Sequence, residues 1–256
     1  MPSLEYYRPK TLAEALTLLQ QGVPLAGGTA LTPNRRGLGA VVDLQDLGLD
    51  SFEVSENGFR IGAALPLQAL VTAADRLPPA LLQACRLEAG WNIRNQATLA
   101  GTLISSDGRS PLLTTLLALG ATLEWAQDGS RTELDEFLSV RASTSRVGLI
   151  TASHIPRPER LAYEQVARSP ADRPQVCASA AFFGNAEQLR VAIGGYGRYP
   201  VLVEHSGDAS PEVIGRAARA AQEAYSEAGD VWASADFRAA VAGTLVRRVV
   251  REVHPS

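Results

Sequence analysis

The sequence predicts an α+β protein, and three observations carry that prediction. A β-α-β pattern opens the chain over residues 5–25 and runs into a glycine stretch, Ala26-Gly27-Gly28-Thr29-Ala30-Leu31. Glu56-Asn57-Gly58 stands between two short apolar runs, which is a hairpin signal. Toward the end, strand-like runs at 161–166, 176–183 and 189–193 precede two segments of helical apolar spacing, 211–227 and 234–253.

Residues 5–7 read as a short strand. Thr11-Leu12-Ala13-Glu14 is a capping box that opens a helix to about Gln21, with Leu12, Ala15, Leu16 and Leu19 on its apolar face and Gly22 as its stop. Residues 23–25 form a strand feeding the glycine stretch. Glycine has no Cβ, so a ligand can approach closely enough for consecutive N–H groups to meet an anion. Arg35 and Arg36 read as a solvated pair, with phosphate contact as the alternative, and 40–43 reads as a strand. The pattern shifts near 50–57, a boundary between two lobes. The hairpin runs 52–55 and 59–61 follow, and Pro66 opens a helix whose buried stripe is Leu67, Leu70, Val71 and Ala74. Pro78-Pro79 begins a further helix through Cys85.

Leu99-Ala100-Gly101-Thr102-Leu103-Ile104 echoes the first glycine stretch and reads the same way, as a buried strand breaking into a bare loop. Two such loops suggest convergence on one diphosphate. A polar loop at 105–110 comes next, and Ser110 is placed to cap an apolar helix that Pro111 opens. The amino end of that helix either favours an anion held by the loop or simply caps a core helix. Runs at 121–125 and 147–151 read as strands, and the second lobe closes near Pro156. Gly194-Gly195-Tyr196-Gly197 leads to Pro200 rather than into a helix, so it reads as a turn and not as a dinucleotide fingerprint. Arg247, Arg248 and Arg251 complement the dipole of the last helix, partner binding being the alternative.

Composition excludes several classes. At 256 residues and a net charge of −3, without a basic stripe carrying aromatics, nucleic acid is not an expected partner. No apolar run approaches the ~20 residues of a spanning helix, and the expected location is cytoplasmic, away from membranes. Cys85 and Cys177 are far apart and read as reduced core residues, while His154, His205 and His254 have no metal-ligand spacing, so no metal site is expected. Lys10 is the only lysine, which leaves no candidate for a Walker-type or Schiff-base lysine beyond the first ten residues.

Together these motifs resemble one family, the FAD-binding medium subunit of the molybdenum hydroxylases, the group of xanthine dehydrogenase and carbon monoxide dehydrogenase. Ala26-Gly27-Gly28-Thr29 is similar to the family's first glycine motif, and Ile93-Arg94-Asn95-Gln96-Ala97-Thr98-Leu99-Ala100-Gly101 to its second. Leu149-Ile150-Thr151 with Ile155-Pro156, Ala162-Tyr163-Glu164 with Asp172, and Ala192-Ile193-Gly194-Gly195 resemble later landmarks. The chain departs from the family pattern at Ala100, Thr102, Pro111 and Gln165.

The resemblance implies a two-lobed FAD-binding domain of the vanillyl-alcohol-oxidase (PCMH) type over 1–156, with lobes of about 1–52 and 53–156. A C-terminal domain of three antiparallel strands and helices would occupy 157–256. It implies an oxidoreductase subunit that passes electrons from the [2Fe-2S] clusters of a small partner, beside a large molybdopterin partner, through FAD to an acceptor such as NAD or oxygen. Ala26, Gly27, Gly28, Thr29, Ala30 and Leu31 would hold the diphosphate from one lobe, and Thr98, Leu99, Ala100, Gly101 and Thr102 from the other. Ser106 and Asp107 would lie near the ribityl or phosphate region, with Leu149 and Ile155 at the adenine or ring pocket. The chemistry would belong to the flavin, so no catalytic acid, base or nucleophile is nominated. The alternatives are a flavin-less scaffold subunit of the same assembly and a stand-alone oxidase or reductase of the same flavin fold.

Overall fold

A computed structural model describes residues 4–34, 36–141, 148–205 and 210–254. Arg35 and Val147, named above, lie outside the described residues. In chain order the first strands and helices are β1 (Glu5–Tyr7), α1 (Leu12–Leu18), β2 (Val23–Leu25), β3 (Ala40–Asp43), β4 (Phe52–Val54), β5 (Gly58–Gly62), α2 (Leu67–Thr72) and α3 (Pro79–Glu88). They are followed by α4 (Trp91–Arg94), α5 (Leu99–Ser105), α6 (Pro111–Ala118), β6 (Thr122–Trp125), β7 (Arg131–Glu133), α7 (Leu134–Val140) and β8 (Ile150–Pro156). The chain ends with β9 (Arg160–Val166), β10 (Val176–Phe183), β11 (Gln188–Gly194), β12 (Val201–Glu204), α8 (Pro211–Ala224) and α9 (Ala235–Val253).

The chain divides into two compact units. The first comprises Met1–Thr72, Trp91–Ser105 and Thr122–Ile155. It contains a parallel three-stranded sheet of order β1-β3-β2 and a five-stranded sheet of order β4-β5-β8-β6-β7. The opening β-α-β pattern forms as read: Thr11 Oγ1 accepts the Glu14 amide at 3.2 Å, Glu14 reaches back to the Lys10 amide at 2.9 Å, and α1 buries Ala15. The expected hairpin also forms, pairing Phe52 with Ile61 and Val54 with Phe59.

The second unit comprises Ala73–Gly90, Ser106–Ala121 and Pro156–Ser256. Its sheet is antiparallel, of order β12-β11-β10-β9, so the three expected strands gain a short edge strand at Val201–Glu204. Every residue of β10 is buried, because both of its faces are covered. Val176, Ala178, Ala180 and Phe182 pack with Val213, Ala217, Val246 and Val249 of α8 and α9. The alternate residue Cys177 packs with Ala80 of α3 and Tyr163. Cys85 and Cys177 are buried and not joined in a disulfide, and burial pushes the Cys177 thiol up to about 11.

One reading is corrected, one unassigned stretch gains structure, and one open alternative is decided. The segment 99–105 is a helix, not a strand: the Thr98 carbonyl accepts the Thr102 amide at 2.9 Å and its hydroxyl the Gly101 amide at 3.3 Å, which makes Thr98 the cap. Leu99 and Leu103, four apart, are the buried face. The stretch 131–140, given no element by the sequence, holds β7 and α7. Finally, the amino end of α6 faces a carboxylate of the chain itself. Glu88 accepts the Ser110 hydroxyl at 2.6 Å, the Leu112 amide at 3.0 Å and the Ser106 hydroxyl at 3.1 Å, while Ser110 Oγ caps the Leu113 amide at 3.0 Å. Gly194-Gly195-Tyr196-Gly197 is a turn, as read; Gly195 has φ +117°, and its amide donates to the Gly108 carbonyl at 2.7 Å.

Candidate dinucleotide cleft

The first unit holds a cleft of about 300 Å³ formed by three separate stretches. The loop after β2 contributes Ala26, Gly27, Gly28, Thr29, Ala30 and Leu31; the start of α5 contributes Thr98, Ala100 and Gly101; and Gly148, Leu149 and Ile150 come from the approach to β8. Among the described residues, no ionisable side chain lines it. The first two stretches are in close contact, since a Cβ on Gly27 would stand 1.6 Å from the Gln96 carbonyl oxygen. Gly28 has φ +70°, a left-handed conformation that an L side chain rarely adopts.

The two glycine stretches differ in what their amides have left to give. In the first, the carbonyls of Gly28 and Leu31 accept the amides of Thr32 at 2.8 Å and Asn34 at 3.0 Å, and Asn34 Nδ2 donates to the Ala30 carbonyl at 3.0 Å. Among the described residues, the amides of Gly27, Gly28, Thr29, Ala30 and Leu31 donate to no protein acceptor. On this partly exposed loop such N–H donors are left for water or a polar ligand. In the second, the Leu99 amide donates to Leu65 at 3.1 Å, Ala100 to Ala63 at 3.0 Å, Gly101 to Thr98 Oγ1 at 3.3 Å and Thr102 to the Thr98 carbonyl at 2.9 Å. That stretch forms a wall. Ala100 has a negative φ there, so its methyl group costs the backbone nothing.

The remaining nominated residues lie elsewhere. Leu99 and Ile155 are buried in the core, and the Thr102 hydroxyl donates to the Thr98 carbonyl at 2.9 Å. Ser106 and Asp107 belong to the second unit. Asp107 accepts the Arg109 amide at 2.8 Å and pairs with Arg173. Sequence reasoning missed Ser105 and Gly148 and also Val23, Pro24, Leu44, Ala63, Ile104 and Ile150, all of which line the cleft. The last six are apolar, so nothing in their chemistry marked them.

A cleft with open amides, apolar walls and, among the described residues, no ionisable side chain suits a dinucleotide held by its diphosphate. With two sheets around it and a separate antiparallel unit under paired helices, it defines a dinucleotide-binding subunit that leaves redox chemistry to its cofactor. The family described as "FAD binding domain in molybdopterin dehydrogenase" matches residues 2–158, and the one described as "CO dehydrogenase flavoprotein C-terminal domain" matches 161–253. The chain is 31% identical over 198 residues to protein YgfM of Escherichia coli K12, covering 75% of this chain and 74% of that one. It is 27% identical over 277 aligned positions to the carbon monoxide dehydrogenase medium chain of Afipia carboxidovorans, covering 97% and 96%. Among solved structures, reconstituted CO dehydrogenase from Oligotropha carboxidovorans superposes with a TM-score of 0.83 at 25% identity, covering 98% of each chain. The chain belongs to the FAD-binding medium subunits of the molybdenum hydroxylase family and is an oxidoreductase component.

Proposed function

We propose that this chain relays electrons within a heteromeric molybdenum-dependent hydroxylase or dehydrogenase. The observation that carries this reading is the run of open amides at 27–31 in a cleft that also contains Gly101. When bound, FAD supplies the redox chemistry, accepting electrons from the [2Fe-2S] clusters of a small subunit and passing them to an acceptor such as NAD, while a large molybdopterin subunit oxidises the substrate.

The chain's own residues bind and orient. Gly27, Gly28, Thr29, Ala30 and Leu31 donate main-chain N–H groups to the diphosphate, Ala26 continues that loop, and the φ of Gly28 sets its path. Thr98, Ala100 and Gly101 form the opposite wall, with Leu99 and Thr102 fixing it from behind, and Leu149 offers apolar surface to a ring. Ile155 supports β8 from the core. The flavin-binding part is assigned to 1–156 and the C-terminal part to 157–256, a division supported by the family matches at 2–158 and 161–253. Two buried cysteines outside any disulfide, Cys85 and Cys177, support a reducing, cytoplasmic setting. No helix of the described residues is long and apolar enough to cross a membrane.

Flavin absorbance and content of the purified chain test this. FAD bound one-to-one is expected. A colourless chain that ignores added FAD, yet assembles with its partners, overturns the relay and leaves the scaffold reading.

A further inference from the structure

Beside the cleft, the first unit holds a second chamber of about 250 Å³. Ile104, Gly148 and Ile150 line both cavities, so the two adjoin across these three residues. Their chemistry differs. In the chamber, Trp125 of β6 and Phe137 of α7 supply aromatic surface, Val140 supplies aliphatic surface, and Glu136 and Arg141 add one carboxylate and one guanidinium. The cleft offers main-chain amides and, among the described residues, no ionisable side chain.

The chamber is preordered. The Trp125 indole N–H donates to Thr132 Oγ1 at 3.0 Å, and its ring stands 5.9 Å from that of Phe137 at an interplanar angle of 59°. The indole edge lies against Gly148, where an ideal Cβ would come within 2.8 Å of Cζ3. Arg141 is fixed as well: Nη1 donates to the Leu103 carbonyl at 2.6 Å, and its amide to the Phe137 carbonyl at 2.8 Å. Two of the lining side chains are left bare, Ile104 at 51% exposure and Val140 at 43%. Apolar surface kept in water beside a formed cavity is surface that a ligand can cover.

These features select a ligand. Aromatic and aliphatic walls take a flat ring. The chamber is smaller than the roughly 300–1,000 Å³ of sites for drug-sized molecules, which excludes a second dinucleotide and suits one or two fused rings. An ionised carboxylate only accepts hydrogen bonds and a guanidinium only donates them, so the ring edge must carry a donor and an acceptor together. With one charge of each sign on the wall, a neutral molecule is favoured over an ion. A bicyclic lactam, whose ring N–H and C=O are adjacent, meets all of these conditions.

We propose that this chamber is a second ligand site, separate from the dinucleotide cleft, for a neutral two-ring nitrogen heteroaromatic of the lactam type, its N–H donating to Glu136 and its C=O accepting from Arg141. FAD and this ligand bind together, one on each side of Ile104, Gly148 and Ile150. The site stands whether or not the cleft retains flavin.

The probe is 2-quinolone, compared with N-methyl-2-quinolone, which keeps the rings and the carbonyl but has no N–H. Isothermal titration of the purified full-length chain reads binding, flavin absorbance after gel filtration reads whether FAD stays, and circular dichroism checks the fold of each variant. 2-Quinolone is expected to bind one-to-one without releasing FAD, and the N-methyl compound about tenfold more weakly. Glu136→Leu should remove that difference by bringing 2-quinolone down to the level of the N-methyl compound. Val140→Trp, which fills the chamber from an exposed helix end, should lower 2-quinolone affinity at least about tenfold with FAD content unchanged. Absence of binding, equal binding of the two compounds, a difference that persists in Glu136→Leu, or a folded Val140→Trp that binds as wild type does overturns the site. Displacement of FAD by 2-quinolone overturns it too, by making the chamber part of the cleft. A chain that neither carries nor takes up FAD overturns the flavin reading alone, and the same titrations then still decide the chamber.

Discussion

The carbonyl oxygen of Gln96 occupies the space that a side chain on residue 27 would need, 1.6 Å from the ideal Cβ position. Gly27 is therefore the point at which the two glycine stretches of the cleft lock together. Gly27→Ala should destabilise the chain by about 3 kcal/mol or more, because backbone is the obstacle and no rotamer relieves it. Urea unfolding reads this, and an unchanged midpoint would show that the stretches are not in contact.

Gly28 stands one residue further and has a different task. An ideal Cβ there meets nothing closer than 3.2 Å, so its glycine requirement comes from φ +70°. Gly28→Val should cost about 1–2 kcal/mol in folding, by analogy with a left-handed residue. Its effect on flavin should be larger. Re-routing the loop moves the open amides, and FAD affinity is expected to fall at least about tenfold while the chain stays folded. Equilibrium dialysis against FAD checks this, and undiminished affinity would remove the first stretch from the diphosphate site.

The second stretch should respond in the opposite manner. Its amides are committed within the protein, and Ala100 is a helical residue whose amide already donates to Ala63 at 3.0 Å. Ala100→Gly should therefore cost about 1 kcal/mol of stability through helix propensity and leave FAD affinity within about twofold. A large gain in affinity would mean that the alanine methyl obstructs the cofactor.

How much of this was legible in the sequence follows from the range over which each signal acts. Thr11 with Glu14, the Asn57-Gly58 hairpin and the Ser110 cap are local, and all formed where they were read. The helix at 99–105 was missed because one turn of Leu-Ala-Gly-Thr-Leu has the same apolar pattern in a strand, and only the Thr98 cap separates them. Strand β12 is four residues at an edge, too short for alternation to show. In the cleft, glycine marked 27, 28 and 101, whereas Leu44 and Ala63 arrive from other segments, and Ile104 and Ile150, though next to marked residues, have no chemistry to announce them. The role of Glu88 was invisible for the same reason, its partners lying 18 to 24 residues away.

Glu88 predicts a pH dependence. Burial of its carboxyl raises the pKa above the ordinary value, and the hydrogen bonds from Ser110, Leu112 and Ser106 oppose this without reversing it. A carboxyl that holds its proton more tightly in the native state makes the fold less stable as pH rises from the unfolded pKa, about 4.3, through the folded one. Glu88→Gln cannot titrate, so its stability relative to wild type should increase between pH 4 and pH 7. Glu88→Ala should lose about 1–3 kcal/mol across that range, since it strands the Ser110 hydroxyl and the Leu112 amide. Urea unfolding at several pH values reads both, and a Glu88→Gln variant that falls behind wild type as pH rises would contradict the raised pKa.

Arg238 should be the most sensitive position in the second unit. Its guanidinium satisfies the carbonyls of Gln175, Ala228 and Ala233 and pairs with Asp230, so Arg238→Met leaves four acceptors to find new donors. The expected loss is about 3–5 kcal/mol, the range for removing one member of a buried pair. Arg238→Lys keeps the charge but not the planar fork that reaches several acceptors at once, and should fall between the two. Because Asp230 and Gln175 hold the Trp232 backbone through this network, protease cleavage within 228–234 should rise in both variants, more in Arg238→Met. Limited proteolysis with mass spectrometry locates the cuts. Cleavage that stays at the wild-type rate in Arg238→Met would mean that the loop is held by something other than the buried guanidinium.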